Sequence, residues 1–225
     1  MRVTEIWRYP VKTMAGESLS RIHIGPFGLE GDRLVHVEDA RGRVVTSRSH
    51  PLFLGHKGTI GPDGELLVDG RPWNAPEVNA DVVAIAGIGA KLVRYEGVER
   101  FDVLPLLVAT DGAIAAFGHD RRRLRPNIVI GGVAGLAERE WPGSCLRIGK
   151  VRIGVQDLRS RCIMTSFDPD TLRQDKEITQ DIYRRFDGKL ALNCFVVRAG
   201  GIEVGDEVHL DRGHSCAEPA AADLR

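Results

Sequence analysis

The chain has 225 residues, with 31 basic and 31 acidic side chains, so its formal net charge at pH 7 is zero. A balanced chain lacks the basic excess of a dedicated nucleic-acid binder and the polybasic run of a membrane-surface binder. At this length one large β domain, or two intimate ones, can bury a core without disulfides or a structural metal.

The first half reads as short strands punctuated by turns. Residues 3–9 form a strand that Pro10 ends. Residues 20–24 alternate in polarity, and Gly25-Pro26-Phe27-Gly28 turns the chain. Residues 33–38 alternate, Asp39-Ala40-Arg41-Gly42 makes a turn, and residues 44–46 return, which is a hairpin signature. Residues 52–60 and 66–68 flank a second strong turn, Gly61-Pro62-Asp63-Gly64. Residues 82–86 and 91–96 read as further strands about a glycine-containing break. Later come a strand over 106–109 and a short helix over 111–117, with Thr110 as its N-cap. Strands follow over 128–130 and 151–155, then a short polar helix or irregular loop over 179–186. Residues 192–198 and 205–210 close the series. Turns spaced this densely predict a barrel-like β architecture with minor helical additions. From about Arg212 the chain turns Ala- and acid-rich without periodicity and is expected to fray.

The first 20 residues hold no uninterrupted apolar core of the kind a signal peptide needs. The weakly charged stretches 82–90 and 103–118 are too short, or broken by Asp111, to span a membrane. The sequence therefore predicts a soluble, cytoplasmic chain. Its four cysteines, Cys145, Cys162, Cys194 and Cys216, form no C-x-x-C pair and are expected to be reduced thiols.

Several chemistries are missing from the sequence. There is no phosphate-binding P-loop, no strand-to-helix G-x-G-x-x-G, no zinc spacing among the seven histidines and no G-x-S-x-G. The cysteine spacing also excludes a plant-type iron–sulfur cluster. Asp168 and Asp170 flank Pro169, which suits a turn better than an acid/base pair.

What remains is Cys162, bracketed by Arg159 and Arg161. Guanidinium charge favours thiolate, the form that attacks or binds a soft metal. A lone cysteine is equally read as a small buried hydrophobe, and the residues alone leave both readings open. Of the basic residues 25 are Arg and six are Lys, which reads as codon usage or as planar anion recognition. Cations and hydroxyls gather at strand ends: Lys12 with Thr13, Arg33 after Gly31-Asp32, Arg48 after Thr46-Ser47, and the run 121–125 before Asn127. Together these describe a small anionic ligand near a thiol that is either reactive or inert.

Six segments in order resemble the MOSC family, named for the C-terminal domain of molybdenum cofactor sulfurase. They are Trp7-Arg8-Tyr9-Pro10-Val11-Lys12-Thr13-Met14, Gly28-Leu29-Glu30-Gly31-Asp32-Arg33, Thr46-Ser47-Arg48, Arg125-Pro126-Asn127-Ile128-Val129-Ile130, Glu140-Trp141-Pro142-Gly143, and Arg161-Cys162 with Asp168-Pro169-Asp170-Thr171. The resemblance implies a mainly β fold, a β-barrel-like MOSC domain packed with an N-terminal β-barrel subdomain and few short helices. It places the subdomain at residues 1–95, the MOSC domain at 96–212 and a flexible tail at 213–225.

By the same resemblance the cofactor is the molybdenum cofactor (Mo-molybdopterin), and Cys162 is the metal ligand and catalytic residue. Lys12, Thr13, Arg33 and Arg48 match first-half positions that hold the pterin and its phosphate. Thr110, Asp111, Arg125, Asn127, Ser160 and Arg161 match second-half positions. Thr13 stands where Ser is usual, and Thr110-Asp111-Gly112-Ala113 departs from a more usual Ser-containing run. Pyridoxal phosphate binding is a label attached to the family as a whole. The implied activity is reduction of small N-oxygenated substrates by oxygen-atom transfer, with electrons from a separate ferredoxin-, flavodoxin- or cytochrome-type protein and no nucleic-acid or membrane partner. Two alternatives stand beside it: a cofactor or sulfur carrier working through a Cys162 persulfide, and a binder of some other phosphorylated ligand.

Overall fold

The computed structural model describes residues 1–212 and Cys216. Its largest element is an eight-stranded sheet. In spatial order the strands are Val208–Asp211, Cys145–Ile148, Val151–Ser160, Lys189–Arg198, Leu106–Thr110, Ile128–Gly131, Arg2–Arg8 and Glu17–Leu19. Every neighbouring pair is antiparallel except Leu106–Thr110 with Ile128–Gly131, which run parallel. That pair needs a crossover, and the helix Asp111–Phe117 supplies it. Among the described residues three small three-stranded sheets complete the β structure, and none of the sheets closes on itself.

The first strand belongs spatially to the second half of the chain: Ile6 pairs with Ile128 and Val3 with Ile130. The exchange is returned near the C-terminus, where Gly200–Glu203 pairs with Arg21–Gly25. Because the first strand and Ile128–Gly131 are antiparallel, the loop leaving one lies beside the loop entering the other. Residues 10–14 and 121–127 are thereby brought together. A core of alternating β-branched residues, among them Ile6, Ile128, Ile130, Ile153 and Val208, fills the main sheet's inner face. A second core, with Val11, Val35, Val37, Phe53, Val78 and Val82, lies under the N-terminal strands.

There are three α-helices among the described residues: α1 (Pro76–Ala86), α2 (Asp111–Phe117) and α3 (Lys176–Phe186). Residues 82–86, expected as a strand, are the last turns of α1. Pro76 starts it, Val78 and Val82 are buried one turn apart, and Gly87 ends it at φ 96°. Length decides here, since five apolar residues suit either period. The expected strand 52–60 begins as a 3-10 turn, Pro51–Gly55, and only Gly58–Ile60 pairs. The region over 179–186 is helical. Asp175 caps α3 by accepting from the Glu177 amide, and Ile178, Ile182 and Phe186 form its buried stripe. Thr110 caps α2 as expected, its Oγ1 accepting from the Ala113 amide at 3.2 Å.

The cysteines require a correction. Cys145 is disulfide-bonded to Cys216, and only Cys162 and Cys194 are free. Sequence spacing carried no hint of a bond spanning 71 residues. The tail expected at 213–225 lies outside the described residues apart from Cys216. Among the described residues no helix is long and apolar enough to cross a membrane.

Candidate functional site

Loops from both halves of the chain enclose a cleft of about 120 Å³. Of the residues singled out in sequence, Lys12, Thr13, Arg33, Arg48, Arg125, Ser160, Arg161 and Cys162 all line it. Seven cationic side chains face the space, against one carboxylate, Asp102.

Backbone conformation aims several of these groups. Thr13, Arg33 and Arg125 all have left-handed φ, at 81°, 54° and 55°. Such a conformation is costly for any residue with a Cβ, and more so for β-branched Thr13. The turn at Thr13 is held by its own hydroxyl, which accepts from the Ser47 amide and so ties loop 10–14 to loop 46–48. Arg33 is held by Asp32, which is fully buried. Asp32 also accepts from the Tyr9 amide at 2.7 Å and from Asn127 Nδ2 at 3.3 Å.

Asn127 itself stands behind the cleft. Its Oδ1 accepts from the Leu107 amide at 3.1 Å, and its Nδ2 also donates to the Trp7 carbonyl at 3.2 Å. It knits three strands together and orients Asp32 rather than facing the space. Thr110 and Asp111 lie outside the cleft altogether. Thr110 is occupied as a helix cap, and Asp111 accepts from the amides of Gly112, Gly132 and Val133.

Asp102 organises the exposed side of the cation cluster. It pairs with Lys12 at 2.8 Å, Arg48 at 3.2 Å and Arg159 at 3.7 Å. Burial pushes its carboxyl up, but Lys12, Arg48 and Arg159 together outweigh this and hold it below the usual value. Nothing in Arg100-Phe101-Asp102 marks this role in the sequence, and it was missed there. Met164 carries no signal either, while Tyr9 and Arg123 stand out only as a strand end and as part of the basic run 121–125. Arg123 is anchored to Asp168 at 2.8 Å. Asp168 also accepts from the amides of Asp170 and Thr171, which makes 168–171 a structural turn. Arg121 and Arg122 point elsewhere, to Glu5 and to Asp120 with Asp170.

On the inner side of the cluster, Arg125 and Arg161 have no carboxylate within ion-pair distance among the described residues. Arg125 donates to the Met14 carbonyl at 2.7 Å and lies over the Tyr9 ring at 4.3 Å. Arg161, 9 % exposed, donates to the Leu124 carbonyl at 2.8 Å, and its Nε is buried with no partner. Burial, with the nearby Arg159 charge, pulls the Arg161 guanidinium down to about 10. Burial also lowers Arg125 and raises the Tyr9 hydroxyl to about 12. Buried Arg161, with its idle N–H, and part-buried Arg125 face no carboxylate at ion-pair distance among the described residues, and together they form a built receptor for an anion.

Cys162 sits beside this receptor, free and partly exposed, two residues past the end of the Val151–Ser160 strand. Among the described residues no three His, Cys, Asp or Glu side chains cluster as metal ligands. A metal here would have to arrive with most of its ligands, as it does in a sulfur-chelated, phosphorylated cofactor. The donor set therefore fits an anionic group that carries its own metal and takes one thiolate from the protein.

The chain matches the MOSC N-terminal beta barrel domain over residues 1–102 and the MOSC domain over residues 113–209. Human mitochondrial amidoxime-reducing component 1 is 27% identical, across 92% of this chain and 82% of its own length. Mitochondrial amidoxime reducing component 2 from Macaca fascicularis is 25% identical over the same shares. Among solved structures, the YuaD protein from Bacillus subtilis covers 93% of this chain and 94% of its own at 13% identity, with a TM-score of 0.48.

Proposed function

Since the chain belongs to the MOSC family and carries both its N-terminal barrel and its MOSC domain, we propose that it is a molybdenum-cofactor-dependent reductase of N-oxygenated compounds. The observation that carries this reading is the pairing of a partly exposed thiol, Cys162, with the guanidinia of buried Arg161 and part-buried Arg125, which meet backbone carbonyls and no carboxylate among the described residues. The names of its relatives support the substrate class, since both are amidoxime-reducing components.

Bound in the cleft, the cofactor would supply the redox-active metal that accepts oxygen from nitrogen. The chain's own residues do the rest. Arg125 and Arg161 meet the phosphate's charge from the buried side, and Lys12, Arg33, Arg48 and Arg159 from the open side. Thr13 and Ser160 offer hydroxyls, and Cys162 gives the metal one sulfur. Asp32 and Asn127 hold Arg33 and the strand ends in place. The overall reaction converts N–OH to N–H and water, consuming two electrons and two protons. The electrons come from a separate carrier protein.

Turnover tests the reading. Protein made in a host that synthesises the cofactor, supplied with a chemical reductant, should convert N-hydroxybenzamidine to benzamidine, and Cys162→Ser should lose that activity. Full molybdenum content without turnover would favour the carrier reading, which the exposure of the free Cys162 thiol supports. Its signature is a Cys162 persulfide, a mass gain of about 32 Da on a reactive thiolate.

A further inference from the structure

A second cavity, of about 290 Å³, lies against the first. The two share the side chains of Arg123, Arg125 and Met164, which form a common wall. The volume is at the lower end of the range that takes a small molecule, roughly 300–1,000 Å³. Its lining differs in kind from that of the cationic cleft. Trp7, Tyr9, Leu54, Phe167 and Pro169 contribute apolar or aromatic surface.

The charges around it are unevenly met. Arg122 is gripped by Asp120 and Asp170, and Arg123 by Asp168. Part-buried Arg125 and exposed Lys57 have no carboxylate within ion-pair distance among the described residues. A ligand with an apolar, planar body gains from the aromatic walls. A ligand bearing a positive charge would face Arg125 from within a low-dielectric wall.

The dividing wall contains one adaptable member. Met164 is partly buried and unbranched, and among the described residues the one hydrogen bond to its side chain comes from the Ser47 hydroxyl, 3.5 Å from its sulfur. Thioether side chains repack at little cost, so this part of the partition can yield to a ligand that reaches across it.

We propose that this cavity receives the aryl body of an uncharged N-hydroxylated substrate, such as an amidoxime or a hydroxamic acid, whose N–O end reaches past Met164 to the Cys162 cleft. The inference rests on the reductase reading and deepens it. It also accounts for release: an amidine product gains a positive charge on reduction and is then disfavoured beside Arg125.

The test uses the full chain and two probes of one shape, para-fluorobenzamide (neutral) and para-fluorobenzamidine (cationic), titrated by fluorine NMR. The benzamide should bind about tenfold more tightly than the benzamidine. Leu54→Trp, which fills the cavity, should weaken benzamide binding by about tenfold or more. Ala15→Leu fills it from another lining position and serves if the first variant does not fold. On loaded protein, either variant should raise KM for N-hydroxybenzamidine by a similar factor and leave KM for hydroxylamine, which has no aryl body, unchanged. Absence of aryl binding, binding indifferent to both variants, or equal affinity for the two probes would overturn the inference. Aryl binding that obeys these rules on a protein that never reduces N–O bonds would instead count against the reductase reading alone.

Discussion

Asp102 is the internal competitor of any anion that enters the cleft. In Asp102→Asn, three cations lose the carboxylate they share at 2.8, 3.2 and 3.7 Å. The Asp102 side chain is 38 % exposed, so water screens these pairs, and each is worth at most about 1 kcal/mol. A total near 2 kcal/mol should leave the empty protein less stable, lowering Tm by about 4–8 °C for a chain of this size. The same energy no longer opposes an incoming anion, so sulfate should bind about 30-fold more tightly. Sulfate suits the test because its charge is constant across the acid range. The sign with pH follows from the depressed carboxyl of Asp102. Its contribution to stability is present above the usual value of 3.8 and is lost as pH falls through the lower folded value. Sulfate affinity of the wild type should climb over that lower window, while that of Asp102→Asn stays flat. Calorimetric titration with sulfate from pH 3 to 6 reads both. Unchanged or weaker sulfate binding by the variant at pH 6 would refute this view of Asp102.

Other residues give sharper single readouts. Arg161→Met removes a buried cation that no carboxylate balances, so the empty protein should keep or raise its melting temperature while sulfate binding weakens by about tenfold or more. Glu138 is buried, accepting from the Ala191 amide at 3.0 Å through one oxygen while the other has no partner. Burial raises its pKa, so ionising it costs the folded state. The wild type should therefore lose stability relative to Glu138→Gln as pH rises above about 4.5, a difference that denaturant titration at pH 4 and pH 8 can measure. Thiol titration of the non-reduced, denatured protein should find two reactive groups, from Cys162 and Cys194, where a fully reduced chain would give four.

Much of the site was legible in the sequence because the residues that build it sit at strand ends next to turn signals, where charge and hydroxyl content stand out. Lys12-Thr13, Arg33 and Arg161-Cys162 are of this kind. Asp102 was not legible, since one carboxylate between Phe101 and Val103 has no pattern, and its role arises only when three cations from distant segments converge on it. Thr110 and Asp111 were placed in the site by a motif that the fold uses for capping. The pairing of the first strand with Ile128–Gly131 is likewise invisible to local pattern, because nothing in residues 2–8 specifies a partner over a hundred positions away. Residues 82–86 show the period ambiguity of short apolar runs, resolved here by Pro76 and Gly87 at the helix ends. The left-handed backbone at Thr13 and Arg125 had no sequence signal at all, since neither residue type favours it.

The central claim is that Cys162 and the guanidinia around it hold a molybdenum-bearing, phosphorylated cofactor. The most direct measurement is the molybdenum and pterin content of protein purified from a cofactor-producing host, wild type beside Cys162→Ala. The account predicts near one molybdenum and one pterin per wild-type chain, with the metal lost from the variant. Molybdenum absent from the wild type, or held equally by Cys162→Ala, would contradict it.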